Sequence, residues 1–441
     1  MIQTVRNAWK IPELRNKMLF VVFALLIFRL GSAIPVPFIN GEALAGQLTA
    51  ASGTIFGLIN VMSGDAFAQA TVFALSIQPY INSSIIIQLL TVAIPALERL
   101  AKEGGEEGRK KIAAITRYAT VLIALLQAFG YYTLIKSYGL ITVPEGYGFW
   151  GAVVIIASFT AGSAFLMWLG EQITEFGIGN GISIILFAGI VSRLPGGVLT
   201  LWNGAKAALG KTVSAQYTAI PVWAIPLLLI GMLAIVMLIV FVSDAERRIP
   251  VQYAKRVVGR KMYGGQSSHI PMKVNMSGVM PIIFAQSIAS LPATIGMFVG
   301  WTKESDGFGG GLMRVFDSTG VFYSIIYFLL ILGFSYFYST MQFNPIEVAN
   351  NLKKNGGFVP GFRPGKPTAD FITKVLGKIT LFGALYLAII AIAPIVVTNL
   401  VGASNLAIGG TSVIIVVGVA LETVKQLEAQ MLMRHYKGFL E

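Results

Sequence analysis

Cysteine is absent from all 441 residues, which excludes disulfides and thiolate-ligated metals. Histidine is nearly absent. His269 and His435 lie far apart and near the ends of apolar runs, which fits solvated loop histidines better than a metal site. Charge is scarce as well: 12% of residues are Asp, Glu, Lys or Arg, against roughly 25% in soluble globular chains, while 55% are hydrophobic. This composition indicates an integral, polytopic membrane protein. Acidic residues do not populate the centres of the apolar runs, so a carboxylate-based proton relay lacks its carriers. There is no GxxxxGK[ST] phosphate loop, and no G-x-S-x-G elbow pairs with a membrane histidine. No catalytic residue, cofactor site or metal site is expected. The amino terminus is basic and polar and the first apolar run is too long for a signal core, so no cleavable signal is expected either.

What is present is a series of apolar runs, near 18–35, 71–94, 112–135, 149–170, 180–197, 217–242, 274–298, 320–342, 373–397 and 404–424. The fifth is short and flanked by glycine. The Lys/Arg distribution argues for keeping it. With ten spans and both termini cytoplasmic, 25 of the 33 Lys and Arg fall on the cytoplasmic side and 6 outside, counting Lys374 and Lys378 with the loop before them and Arg193 with the loop after it; Arg29 and Arg117 lie within spans. Dropping the fifth span would move the two most basic loops outside. Trp150, Trp168, Trp223 and Trp301 fall at or near span ends, as interfacial aromatics do. Arg29, deep in a span, is expected to play a structural part by snorkelling or by pairing with a carboxylate or backbone carbonyls.

The second run, TVFALSIQPYINSSIIIQLLTV from Thr71 to Val92, is long enough to cross a bilayer, yet carries Gln78, Pro79, Asn82, Ser83 and Ser84 in its middle. It reads as a spanning helix kinked at Pro79, with Ile77 and Ile81 on one face. Two readings stay open: the wall of a passage, or a buried helix whose polar groups bind its neighbours. Ten spans divide into five and five, and the seventh, second of its half, carries Pro281 and Pro292. Proline-interrupted spans in corresponding places suggest an inverted repeat. The halves are then 1–197 and 217–441, joined outside by a hinge loop at 198–216.

Between the first two spans, the apolar part from Ile55 to Met62 is too short to cross. It reads as a short helix or re-entrant piece, either a movable stopper near 54–66 or an interfacial loop. The loop near 243–273 alternates as a projecting hairpin would. The loop near 343–372 holds a stiff Gly/Pro turn, KKNGGFVPGFRPGKPT. Positive charge near span ends serves topology. Cations at mid-loop tips suit docking of an acidic partner or RNA phosphates better. The GIGNG run at 177–181 reads as a tight interhelical turn rather than a nucleotide loop, and Gly307 to Gly311 as a flexible external loop.

Taken in order, IQPYINSSIIIQLL, EQITEFGIGNGISI, RRIPVQYAKR…GRK, KVNMSGVMPIIFAQS, GFRPGKPT and GGTSVII resemble the SecY family of bacterial protein-conducting channels over essentially the whole chain. The resemblance implies an all-α fold of ten transmembrane helices in two pseudo-symmetric five-helix halves, in the bacterial inner membrane. It implies a pore ring at Ile77, Ile81, Ile182, Leu186, Ile283 and Ile415; a plug including Ile55, Phe56, Leu58, Ile59 and Met62; and a lateral gate lined by Asn82, Gln88, Gln127, Asn275 and Gln286. Leu186 stands where isoleucine is common, and Asp65 where a second glycine often follows Ser-Gly. Lys255, Arg256, Arg260, Lys261 and Arg363 correspond to the surface that docks the SecA ATPase or the ribosome. SecE and SecG are the implied companion subunits; signal sequences, translocating polypeptides and membrane lipids are the implied ligands. The alternative class is a secondary transporter of a small solute, which shares broken helices and inverted repeats but needs a midplane site with ion ligands.

Overall fold

A computed structural model describes the chain except for residues 1, 51–59, 61, 103, 145, 210–223, 254–255, 259–260, 264–266, 277, 300–306, 317–319, 402–409 and 438–441. In chain order the helices are α1 (Ile2–Trp9), α2 (Pro12–Gly31), α3 (Gly41–Ala50), α4 (Gln78–Ala93), α5 (Pro95–Lys102), α6 (Gly105–Ser137), α7 (Gly148–Phe176), α8 (Gly181–Ser192), α9 (Leu194–Ala208) and α10 (Ala224–Asp244). Strands β1 (Glu246–Tyr253), β2 (Arg256–Val258), β3 (Lys261–Tyr263) and β4 (Ser267–Lys273) follow. Then come α11 (Met280–Val299), α12 (Phe308–Val315), α13 (Val321–Gln342), α14 (Pro345–Lys354), β5 (Gly357–Phe358), α15 (Lys366–Val401) and α16 (Gly410–Lys437).

A helix overlies each of the ten apolar runs. Among the described residues, length and hydropathy alone qualify five stretches as spans, and a sixth if α4 and α5, bent by 105° at Ile94, count as one. The apolar parts of α10 and α11 are shorter, and α2 carries Glu13, Arg15, Lys17 and Arg29. The fifth run holds two helices, α8 and α9, which together make one of the long stretches, Gly181–Gly204. Part of the expected hinge loop is therefore helical, and residues 210–223 lie outside the described residues. The 307–311 stretch is not a loop: Gly307, at φ 105, caps α12, which begins at Phe308. Trp150 and Trp168 are exposed on α7, and Trp223 and Trp301 lie outside the described residues.

The second run differs most from expectation. Helix α4 begins only at Gln78, with Pro79 in its first turn, where its missing N–H costs nothing. Pro281 likewise occupies the first turn of α11; only Pro292 is interior. Residues 64–77 are turns, and Asp65, Ala70 and Ser76 have positive φ. Unwound backbone in a membrane protein is tolerated where protein satisfies it, and here neighbouring elements do. Val36 N donates to Ala70 O at 3.1 Å and Val72 N to Ile34 O at 3.0 Å. Tyr131 of α6 donates its hydroxyl to Phe67 O. Ser163 of α7 donates to Ser76 O at 3.2 Å. Gly162 lets α7 approach so closely that a Cβ there would overlap Val72 O. The rings of Phe67, Tyr131 and Phe159 pack together behind the turn.

Within the first half, α6 packs against α4 and α7, and α7 against α8. Within the second, α13 packs against α11 and α15, and α16 against α10 and α15. The halves meet along two seams, α11 against α4 and α6, and α16 against α8 and α1. The largest apolar core runs through both seams.

A separate unit lies between α10 and α15. Strands β1 and β4 form the expected antiparallel hairpin, with Ile249 opposite Ile270. Strand β5, from the 343–372 loop, adds to the other edge of β1, giving the order β4-β1-β5 with Gln252 opposite Phe358. Ile249, Val251, Met272, Leu352, Val359, Ile372 and Leu376 form its core, so the two basic loops are one folded platform. The cations Arg247, Arg248 and Lys273 lie on β1 and β4 within it.

Candidate functional site

The waist is built from helix beginnings. Ile77 is the N-cap of α4 and Ile81 lies in its first turn. Ile182 and Leu186 fall in the first two turns of α8, Ile283 in the first turn of α11 and Ile415 in the first two turns of α16. All six belong to the same apolar core, five fully buried and Ile182 partly so. Two of these helices come from each half. Local chemistry fixes the geometry. The Asn180 side chain caps α8, accepting from Ile182 N at 3.1 Å and Ser183 N at 3.4 Å. Thr174 Oγ1 accepts from Gly181 N at 2.9 Å, and a Cβ on Gly181 would overlap Gly170 O. The GIGNG run is thus the tight turn that brings α8 back against α7, with Gly179 at φ 90.

Such a cluster offers no hydrogen bonds and no charge. An aliphatic constriction excludes ions by dewetting, and side chains without specific partners can move aside. Met62, the one expected plug residue among those described, is buried in the same core. Ile55, Phe56, Leu58 and Ile59 lie outside the described residues.

The front seam carries the polar residues. Asn82 on α4 and Gln286 on α11 are buried, while Gln88 on α4, Gln127 on α6 and Asn275 just before α11 are half-buried. Gln286 Nε2 reaches Met62 Sδ at 3.6 Å, so the seam touches the segment between the first two spans. Gln286 Oε1 and Asn275 Oδ1 are buried without a partner. Gln88 Oε1 accepts a 2.6 Å hydrogen bond from the Tyr338 hydroxyl of α13. Sequence reading missed Tyr338. Its signal was there: Tyr327, Ile331, Phe334 and Tyr338 recur at helical spacing and share one buried face. The Phe284 ring of α11 packs edge-on against Phe334 and Tyr338 at 6.0 and 5.0 Å.

Of the expected docking residues, three fall among the described residues, in two places. Arg256 and Lys261 are in the β2–β3 hairpin, where Val258 pairs with Lys261; Lys255 and Arg260 lie outside the described residues. Arg363 is exposed in the turn between β5 and α15, bounded by Gly361 at φ 87 and Gly365 at φ 101. Its carbonyl accepts from Thr368 Oγ1 at 2.8 Å. Arg29 donates to Gly64 O at 3.3 Å, the backbone-carbonyl partner open to it from sequence. Arg117 pairs with Glu171 of α7 at 2.9 Å.

A family model described as SecY matches residues 71–424. The chain is 44% identical over 452 residues to the protein translocase subunit SecY of Streptomyces coelicolor, with full coverage of both. It is 42% identical over 454 residues to that of Bacillus subtilis, again with full coverage of both. Among solved structures, a protein-conducting channel superposes with TM-score 0.65 at 17% identity, covering 95% of this chain and 93% of that one. Sec61 in a canine ribosome–channel complex does so with TM-score 0.61 at 16% identity, covering 95% and 93%. At these identities the structural likeness speaks to the fold alone.

Proposed function

The chain belongs to the SecY family, and from that premise we propose how its residues divide the work of a protein-conducting channel. The protein is the central, multi-pass membrane subunit through which unfolded polypeptides cross and from which hydrophobic helices pass sideways into lipid. The observation that carries the division of labour is the waist: six aliphatic side chains from four helix beginnings, two in each half, in one dry cluster.

Ile77, Ile81, Ile182, Leu186, Ile283 and Ile415 act as the seal. Apolar contact closes it without sequence preference, so a passing chain of any composition can replace it. The segment ending at Met62 acts as a plug against the ring. Asn82, Gln88, Gln127, Asn275 and Gln286 line the lateral gate between α4 and α11. A signal helix opens that gate because it binds the open state better than the closed one. The platform with Arg363, and the β2–β3 hairpin with Arg256 and Lys261, dock a motor or ribosome, a role that the resemblance also gives to Lys255 and Arg260. SecE and SecG complete the complex, SecA supplies the ATP-driven push, and the assembly works in the bacterial inner membrane with both termini in the cytoplasm. The chain itself is a conduit, not an enzyme. A small-solute transporter has no support from a waist whose six named side chains are all aliphatic.

Reconstitution tests the reading. Vesicles carrying this chain with SecE and SecG, supplied with SecA and ATP, should protect a signal-bearing preprotein from external protease and should leave a signal-less one digested. Protection of neither, with an intact complex, would contradict it.

A further inference from the structure

The turn after Met62 carries a charge where glycine would sit without strain. Asp65 has φ +73, a left-handed conformation that glycine adopts freely and that Asp and Asn tolerate better than other side chains. Its carboxylate has two partners. Oδ1 accepts from Arg193 Nε at 3.1 Å and from Asn60 Nδ2 at 2.9 Å. Asn60 is held in turn: its Oδ1 accepts from Ala68 N at 2.8 Å and its carbonyl from Asp65 N at 3.1 Å. Arg193 is the C-cap residue of α8, the helix that carries Ile182 and Leu186.

Backbone fit supports the same contact independently. A Cβ on Gly64 would stand 2.7 Å from Ser192 Oγ and 3.1 Å from Gly189 O, and a Cβ on Gly189 would overlap Met62 O. At Gly64 and Gly189 the turn and the end of α8 meet too closely for a Cβ, and Arg29 also donates to Gly64 O. Asp65 and Arg193 are each partly exposed, 43% and 22% by side chain, so their attraction is open to screening by salt.

We propose that the Asp65–Arg193 pair is an electrostatic anchor that fixes the turn between Asn60 and Ala68 to the end of α8, so that the grip on the base of the plug weakens as ionic strength rises. The proposal rests on reading the preceding segment as a plug. The anchor binds that base to a ring-bearing helix.

Hydrogen exchange in the reconstituted full complex tests it, read on peptides covering residues 60–71. Asp65→Asn keeps an acceptor and tolerates the left-handed backbone but loses the charge. It should speed exchange of the Phe67–Thr71 amides roughly two- to fivefold, the range an exposed pair supports. Arg193→Gln should match it, and the double variant should add nothing further, as coupled partners behave. Raising salt from about 0.01 to about 1 M, which shortens the screening length from roughly 30 to roughly 3 Å, should speed wild-type exchange and leave Asp65→Asn unchanged. Asp65→Gly should resemble Asp65→Asn. Exchange equal to wild type in Asp65→Asn, or slower than wild type in Asp65→Gly, would overturn the anchor. The readout does not depend on transport: a wild-type complex that passes no preprotein defeats the channel reading, whereas unchanged exchange defeats only the anchor.

Discussion

The Tyr338 hydroxyl and Gln88 Oε1 are joined by a 2.6 Å hydrogen bond that ties α13 to α4 across 250 residues of sequence. It sits on the front seam beside Phe284 of α11. Gln88 is therefore held by the second half rather than facing an empty gate. Tyr338→Phe keeps the ring packing and removes only this bond. A net hydrogen bond contributes about 1 kcal/mol, so the open fraction should rise about fivefold. Translocation of a substrate with a weakened signal should increase, while a full-strength signal should gain little. Equal handling of the weak signal would remove Tyr338 from the gate.

The seam itself can be locked. Since the chain has no cysteine, Asn82→Cys with Gln286→Cys introduces the only two thiols. Bridging them should block signal-driven translocation, and reduction should restore it. Intact transport in the bridged protein would mean that the α4–α11 seam does not open.

Much of this architecture was legible in the sequence. Apolar length marks a membrane helix whatever its neighbours are, so all ten runs coincide with helices. Alternation marked the β1–β4 hairpin, and the Gly/Asn run marked the α7–α8 turn. The unwound 64–77 stretch was not legible, because TVFALSI has the composition of a helix. What holds it open is Tyr131, Gly162 and Ser163, some sixty to ninety residues away in sequence, and no local pattern reports that. The two-residue strand β5 is too short to leave a periodic signal, so the joining of the two basic loops was invisible too. Asp65 stood out in sequence as a departure from glycine, but its partner Arg193 could only be found in space.

Polar substitution at the ring should wet it. Ile81 is buried among Ile77, Leu186 and Ile283. Ile81→Ser deletes apolar surface and supplies a hydroxyl for water. Resting conductance of vesicles carrying the complex should rise several-fold, with preprotein transport retained. Leu186→Ile, which keeps the apolar volume, should leave conductance unchanged. A dry, silent Ile81→Ser channel would place the seal elsewhere.

Charge reversal on the platform should uncouple the drive from the conduit. Arg363 is exposed in a glycine-bounded turn. Arg363→Glu should abolish SecA-driven translocation while the chain still inserts and assembles normally. Normal ATP-dependent transport in that variant would contradict the docking assignment.

A polypeptide that passes through the aliphatic waist must touch the side chains that line it. A preprotein stalled in transit by a folded carboxy-terminal domain, with photoreactive groups placed one at a time at Ile77, Ile81, Ile283 and Ile415, tests this directly. All four ring positions should crosslink to the stalled chain. Phe241 of α10, which is exposed on the outer surface of the fold, should give none. Crosslinks from Phe241, or none from the ring while the substrate is stalled, would contradict passage through the waist.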